Sequence, residues 1–285
     1  MICAVMDIGS NSVRLLVHDG ERVMEKKVIT TRLAEGMSNN FELTTEAMQR
    51  TVAALSFFCE SAKSLRADKI FAFATAAVRK ASNRSVFLQL VEEVCGVDVE
   101  VVSGETEARL GYVGALGGRD GGLVDVGGAS TEVTIIEGGK TVFAKSVDVG
   151  AVVVKDVCGQ NETAVVEFVD KKTSEFGFVP LTEFCAIGGT ATSVAAMLQE
   201  LNEYSSIKVD GFVVEKDALM SLKNKLFSMS VDERKLLKGL QPQRAEIIAG
   251  GVSILLSVME KIGLDKITVS DRDNIEGFLK LKVGL

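Results

Sequence analysis

Histidine is almost missing from this chain: 285 residues carry one, His18. That scarcity excludes a site built on imidazole pairs or on a Ser-His-Asp or Cys-His arrangement. Any catalysis must run on carboxylates, hydroxyls, lysines, arginines or a metal. His18 itself follows a strand-like run and precedes Asp19-Gly20, a turn signal, so it reads as a loop residue. Cysteine is sparse as well. Cys3, Cys59, Cys95, Cys158 and Cys185 lie far apart, odd in number and with no Cys-x-x-Cys pair. They fit neither a disulfide framework nor a zinc site, and read as small buried hydrophobes in a reducing compartment. With two prolines, no Pro-rich linker exists. Long apolar runs are missing too: the uncharged stretch Ile247–Met259 has 13 residues, against the ~20 that a membrane span needs. The N-terminus has no basic segment and sets Asp7 in its first apolar run. No signal peptide is read there, and a cytoplasmic location without membrane attachment is expected. Neither G-x-x-x-x-G-K-[ST] nor a helix-opening G-x-G-x-x-G occurs, which sets aside Walker and Rossmann sites.

What remains is a globular composition, 47% hydrophobic and 25% charged, in a length suited to two lobes with a core each. A net charge of −7 argues against nucleic acid as a partner. Nine of the twelve arginines precede position 120, a distribution that suits a local anion site better than a basic surface. The strongest organisational signal is a repeat. Asp7-Ile-Gly-Ser-Asn-Ser12 and Asp125-Val-Gly-Gly-Ala-Ser130 share the pattern Asp-aliphatic-Gly-x-x-Ser, 118 residues apart. Each follows a short apolar run and precedes a β-rich segment, Val13–Val17 or Thr131–Ile136, so each reads as strand, glycine turn, strand.

Between and beyond the repeats, periodicity predicts helices over Thr44–Leu65, Arg84–Cys95 and Glu105–Leu116, with strands at Lys69–Ala74 and Val97–Val102. The glycine cluster Gly117–Gly122 marks the boundary between an N-terminal lobe, 1–118, and a C-terminal lobe, 119–285, whose terminal helix could pack back on the first. Hairpin strands are expected after it, then a strand at Glu183–Ile187 and a helix from Gly188 to about Glu203. Helices follow over Glu215–Ser228, Val231–Leu237 and Arg244–Ile262, then a strand at Lys266–Ser270 and a short terminal helix. The alternation is that of an α/β protein.

Three glycine turns combine bare amides with hydroxyls: Gly9-Ser10-Asn11-Ser12, Gly127-Gly128-Ala129-Ser130-Thr131 and Gly188-Gly189-Thr190. Such turns can cradle phosphate oxygens, although each alone also serves as a hairpin or a cap. Asp7 and Asp125 end equivalent strands, and Glu132 returns opposite Asp125 if the chain reverses at Gly127-Gly128. Carboxylates beside a phosphate cradle suit Mg²⁺; an exposed hairpin acid and a turn-capping aspartate are the plainer alternatives. In Ser103-Gly-Glu-Thr-Glu-Ala-Arg109, Glu105 has a local partner in Arg109 and the helix dipole. Glu107 is left as a candidate general base.

These blocks, with Arg32-Leu-Ala-Glu-Gly36, Thr75-Ala-Ala-Val-Arg-Lys-Ala-Ser-Asn83 and Arg244-Ala-Glu-Ile-Ile-Ala-Gly-Gly251, give the chain its resemblance. It resembles the exopolyphosphatase and guanosine pentaphosphate phosphatase family in its short, two-domain form, over nearly the whole length. The resemblance implies two duplicated ribonuclease-H-like lobes of the actin-like ATPase superfamily, with the site in a cleft between them. It implies a Mg²⁺-dependent hydrolase, with Mn²⁺ as the alternative ion, that releases terminal orthophosphate from inorganic polyphosphate. Guanosine pentaphosphate is the alternative substrate, and a homodimer is expected. Glu107 would be the catalytic base, Arg79 an anion clamp, and Asp125 and Glu132, with Asp7 nearby, the metal-associated acids. Three departures stand out. Ala129 replaces the third glycine of a Gly-Gly-Gly turn. Thr106 replaces an acid before Glu107. Ile275 stands where the family has an arginine in Gly-x-Arg-Glu-Gly. An ATP-dependent kinase and a catalytically weakened polyphosphate or alarmone sensor are the rival readings.

Overall fold

Each repeated segment opens a sheet. The computed structural model describes residues 1–37 and 40–284. In its first sheet, β1 (Cys3–Ile8), β2 (Ser12–His18), β3 (Val23–Thr30), β4 (Lys69–Ala74) and β5 (Val99–Val101) lie in the order β3-β2-β1-β4-β5. The first three strands are antiparallel; β4 and β5 run parallel to β1 and to each other. The second sheet contains β6 (Gly121–Val126), β7 (Thr131–Glu137), β8 (Lys140–Val147), β9 (Phe184–Ile187), β10 (Val213–Glu215) and β11 (Lys266–Val269), in the order β10-β11-β9-β6-β7-β8. Read from β8 inward, the order and directions of the first sheet recur, with β10 added antiparallel at the far edge. The duplication read from two hexapeptides is thus a duplicated ribonuclease-H-like topology.

Sequence decides which strand is central. β1 is Cys-Ala-Val-Met-Asp-Ile, every residue buried, as a strand covered on both faces must be. β3 carries Glu25, Lys26 and Lys27 and stays largely exposed, the charged edge that discourages pairing with another sheet. The helix Thr45–Ser64 starts where Thr44 Oγ1 accepts the Ala47 amide at 3.2 Å. Its buried stripe includes Ala47, Thr51, Leu55, Phe58 and Ala62, the mixed three- and four-residue spacing of one helix face. The helix Arg84–Cys95 stops at Gly96, whose φ of 65° suits glycine.

Two compact units result, Met1–Leu110 with Asn274–Leu285, and Gly111–Asp273. This division differs from the boundary read at 118. Tyr112, Ala115 and Leu116 cluster with Leu123, Ile136 and Ile187 of the second unit. Residues Ile275, Phe278 and Leu279 instead cluster with Val5, Leu16, Phe73 and Leu110 of the first, with the Phe73 and Phe278 rings stacked at 4.8 Å.

The segment after β8 departs most from expectation. The hairpin strands expected after the glycine boundary are β6–β8, but no helix was read between them and β9, where Ala151–Cys158 and Glu162–Thr173 are helices. Ala-Val-Val-Val is a β-favouring run, but tertiary hydrogen bonds override it. The Ala151 and Val152 amides donate to the Gly127 and Gly128 carbonyls at 3.0 and 2.9 Å. The helix from Gly188 ends at Leu198, earlier than expected, because Glu200 turns into positive φ. Its neighbour Leu201 then bonds back to Ala196 and is buried. Strand β10 was not anticipated. Among the described residues no helix is long and apolar enough to cross a membrane.

Gly277 sits where any Cβ would strike the Leu110 backbone carbonyl. Gly277→Ala should therefore destabilise the protein by roughly 1–3 kcal/mol, seen as a lower urea midpoint with an unchanged m-value.

Candidate active site

The two hairpin turns close in the same way. The Gly9 amide donates to the Ser12 carbonyl at 3.1 Å, and the Gly127 amide to the Ser130 carbonyl at 3.0 Å. A Cβ on either glycine would fall 2.9 or 3.0 Å from that serine oxygen, which is why the third position of the motif has no side chain. Ser10 and Asn11 are buried, and their carbonyls accept the Ala34 amide (2.8 Å) and the Thr31 and Arg32 amides (3.0 and 2.8 Å). In the second turn the carbonyls engaged lie one residue earlier, those of Gly127 and Gly128, which accept the helix amides already described. Gly150 makes that approach available, since a Cβ there would overlap the Gly128 carbonyl and come within 2.5 Å of the Ala129 nitrogen. Ala129 itself is buried against this contact.

Turn closure sets what lies across each hairpin. Asp7 is paired in register with Arg14, and Asp125 with Glu132. In the first unit the Arg14 guanidinium binds the buried Asp7 carboxylate, with Nε 3.0 Å from Oδ2. In the second unit the same position holds a second acid. Glu132 is buried and accepts the Ser146 hydroxyl at 2.6 Å. Asp125 leans over the turn that follows β9: a Cβ on Gly188, which has φ +82°, would fall 2.6 Å from Asp125 Oδ1. Gly189 is bare for a similar reason, because the Arg244 guanidinium occupies the space that its side chain would fill. Thr190 is buried, with its hydroxyl against Gly251.

Glu107 lies in the first turn of the helix Gly104–Ala115. Ser103 starts that turn, its hydroxyl accepting the Thr106 amide at 3.1 Å and its carbonyl accepting the Glu107 amide at 2.9 Å. The carboxylate is buried and takes a 2.7 Å hydrogen bond from Arg79 Nη1, which also donates to the Val102 carbonyl at 3.0 Å. Arg79 reaches this point from the short helix Ala76–Lys80, and Val102 immediately follows β5.

Measured against the expected site, Glu107 and Arg79 are joined, and Asp125, Glu132, Gly188 and Gly189 gather at one end of the second sheet. Thr131 is corrected. It is fully buried and spends its hydroxyl on the Val149 carbonyl at 2.5 Å, so its side chain is structural. Among the described residues no group of three or more His, Cys, Asp or Glu side chains is arranged to hold a metal ion, and Asp7 is engaged by Arg14.

The family model described as the Ppx/GppA phosphatase family matches residues 16–283. The chain belongs to that family. It is 28% identical to Exopolyphosphatase 2 of Mycobacterium tuberculosis over 96% of each chain. It is 30% identical to the guanosine-5'-triphosphate,3'-diphosphate pyrophosphatase of Photobacterium profundum, matching 97% of this chain but 58% of that longer protein. A Ppx/GppA family member from Aquifex aeolicus superposes with a TM-score of 0.79 at 28% identity, over 99% of this chain and 97% of that one. An exopolyphosphatase from Cytophaga hutchinsonii superposes with a TM-score of 0.86 at 21% identity, over 100% and 99%.

Arg14, Ser146, Gly150 and Arg244 went unassigned from sequence. One signal was available for Arg14: it follows Asp7 by seven residues, as Glu132 follows Asp125. Arg244 had one in standing first in the block Arg244–Gly251, although without a role, and Gly150 had none, because only the fold brings it to Gly128. Arg14→Met leaves Asp7 buried without its guanidinium and should cost ~2–4 kcal/mol, less than a fully buried pair because Arg14 is partly solvated. Urea denaturation checks this, and Asp7→Asn on the Arg14→Met background should recover part of the loss.

Proposed function

We propose that this Ppx/GppA-family chain is a metal-dependent phosphoanhydride hydrolase that removes a terminal phosphoryl group as orthophosphate. The first substrate is inorganic polyphosphate, as for the M. tuberculosis relative named an exopolyphosphatase, which matches this chain over nearly its full length. Guanosine pentaphosphate is the alternative. The observation that carries the reading is the buried Glu107 carboxylate oriented by Arg79 at 2.7 Å. In a chain whose one histidine, His18, ends strand β2 instead of lying in a loop and accepts the Gly20 amide at 3.0 Å, this is a carboxylate fixed firmly enough to serve as a general base.

Glu107 accepts the proton of the attacking water as the water oxygen bonds to the terminal phosphorus. The bridging P–O bond breaks, and the shortened chain leaves as a phosphate anion. Arg79 keeps the base in place. The amides of the Gly188–Thr190 turn and the Arg244 guanidinium hold the phosphoryl oxygens, where hydrogen bonds to developing negative charge have most effect. Ser10, Asn11 and Ser12 of the first turn, and Gly128, Ala129 and Ser130 of the second, are further phosphate contacts in this reading.

Asp125 and Glu132 fit a hard divalent cation. Two carboxylates facing across a hairpin repel, and with nearby hydroxyls and retained waters they form the oxygen set that Mg²⁺ or Mn²⁺ accepts. Such an ion, when bound, neutralises phosphate charge and lowers the barrier to its transfer. Asp7, grouped with these acids in the sequence, is held by Arg14 and is assigned here to orienting the first turn. A cytoplasmic homodimer completes the reading.

Orthophosphate release with Mg²⁺ from long polyphosphate, tripolyphosphate, guanosine pentaphosphate and ATP tests it. Release from polyphosphate is expected, and Glu107→Gln should lower turnover by ~10²–10⁴-fold while leaving the fold and substrate binding intact. Release from the guanosine nucleotide alone transfers the protein to the alternative substrate. Unchanged turnover in Glu107→Gln removes that residue from the mechanism, and silence on all four substrates rejects the hydrolase reading.

A further inference from the structure

Arg234 is the largest fully buried side chain among the described residues, at 1% exposure. Its Nε donates to the Leu226 carbonyl at 2.7 Å, and its Nη1 to Gln160 Oε1 at 2.5 Å and to the Ala245 carbonyl at 3.4 Å. The guanidinium carbon lies 5.9 Å from the Phe227 ring centroid. All of these partners are neutral. Burying a guanidinium without a carboxylate is expensive, and a leucine or methionine would fill the same space without that cost. The arginine is informative because it does something a hydrophobe cannot: one planar fork ties together three separate segments.

Those segments are the end of the helix Lys216–Ser228, the loop after Ala151–Cys158, and the turn entered through the 3-10 helix Pro242–Arg244. Gln160 extends the fork, its Nε2 donating to the Glu246 carbonyl at 2.8 Å. Arg234 and Gln160 together therefore grip the carbonyls of the two residues that follow Arg244. On its other side Arg244 is held by Gln241, through its own amide at 2.9 Å and its Nε at 3.2 Å. The backbone that carries Arg244 is fixed from both directions, and its guanidinium stands over Gly189.

We propose that Arg234 is a positioning residue for anion binding: through Gln160 and the Ala245 and Glu246 carbonyls, it sets Arg244 over the Gly188–Thr190 turn. The inference rests on the phosphoanhydride reading for the identity of the anion. Its test is binding, which separates it from the question of catalysis.

Tripolyphosphate affinity measured by titration calorimetry at fixed Mg²⁺, with thermal stability followed alongside, decides the matter. Arg244→Ala should raise Kd by ~10-fold or more, the effect of losing a charged hydrogen bond. Arg234→Met should raise Kd by ~5–10-fold, and Arg234→Lys by less. Combining Arg234→Met with Arg244→Ala should bind no more weakly than Arg244→Ala alone, because both changes act through one guanidinium. Gln160 is exposed, so Gln160→Ala keeps the fold even where Arg234→Met does not, and it should raise Kd by ~2–5-fold with a modest fall in melting temperature from the lost acceptor of Arg234. In turnover, kcat/KM should fall at least in step with the rise in Kd, because Arg244 also meets the charge that develops on the phosphoryl oxygens. A purely structural role would lower the active fraction without moving Kd or KM. Wild-type Kd in Arg234→Met and Gln160→Ala, or effects that add to Arg244→Ala, overturns the proposal. Wild-type Kd in Arg244→Ala overturns it together with the anion role of the turn. Normal tripolyphosphate binding without phosphate release would reject the hydrolase reading alone.

Discussion

In both sheets a glycine amide closes onto the carbonyl of a serine three residues later, and the register of the hairpin follows from that bond. The site inherits its charge layout from this register. It brings the residue seven after each aspartate directly across from it, Arg14 in one unit and Glu132 in the other. The same backbone device thus produces opposite electrostatics. One aspartate is neutralised by the protein's own guanidinium. The other faces a second carboxylate across the hairpin. Duplication supplied two equivalent positions, and a change of sign at one of them separates an acid paired with an arginine from an acid facing another acid, the pair proposed above to take the metal.

The second constraint is close approach. At Gly150, Gly188 and Gly189 a side chain would collide with a backbone carbonyl, a carboxylate oxygen or a guanidinium. These glycines are there so that groups carrying chemistry can come within contact distance, not for flexibility. Arg79 and Glu107 follow another logic, in which a helix first turn delivers the carboxylate and a neighbouring short helix delivers the arginine that orients it. Across the structure, each charged group assigned to chemistry is held by an arginine, a serine or a fixed turn, which is what preorganisation requires.

Much of this was legible in the sequence. The two hexapeptides gave the duplicated topology, because a Gly-x-x-Ser turn after an apolar strand leaves the chain little choice but to return as a hairpin. Glu107 stood out in sequence because Glu105 was expected to pair with Arg109; among the described residues that pair does not form, and it is Glu107 that Arg79 engages. Features that depend on distant groups were not. The run Ala151–Val154 has strand propensity, yet it is helical, with its first amides received by the Gly127 and Gly128 carbonyls and Ala151, Val152 and Val154 buried. The hydroxyl of Thr131 looked like a ligand until Val149 was found to take it. Arg234 is one arginine among several in sequence, and its burial between three segments is visible only in the fold.

The account turns on the contrast between the two hairpins, and Mn²⁺ binding followed by electron paramagnetic resonance tests it without recourse to activity. Glu132→Gln should weaken Mn²⁺ affinity by ~10-fold or more, while Asp7→Asn leaves it within ~3-fold of wild type. Equal losses in both variants, or none in Glu132→Gln, would contradict the assignment of the metal to the second hairpin.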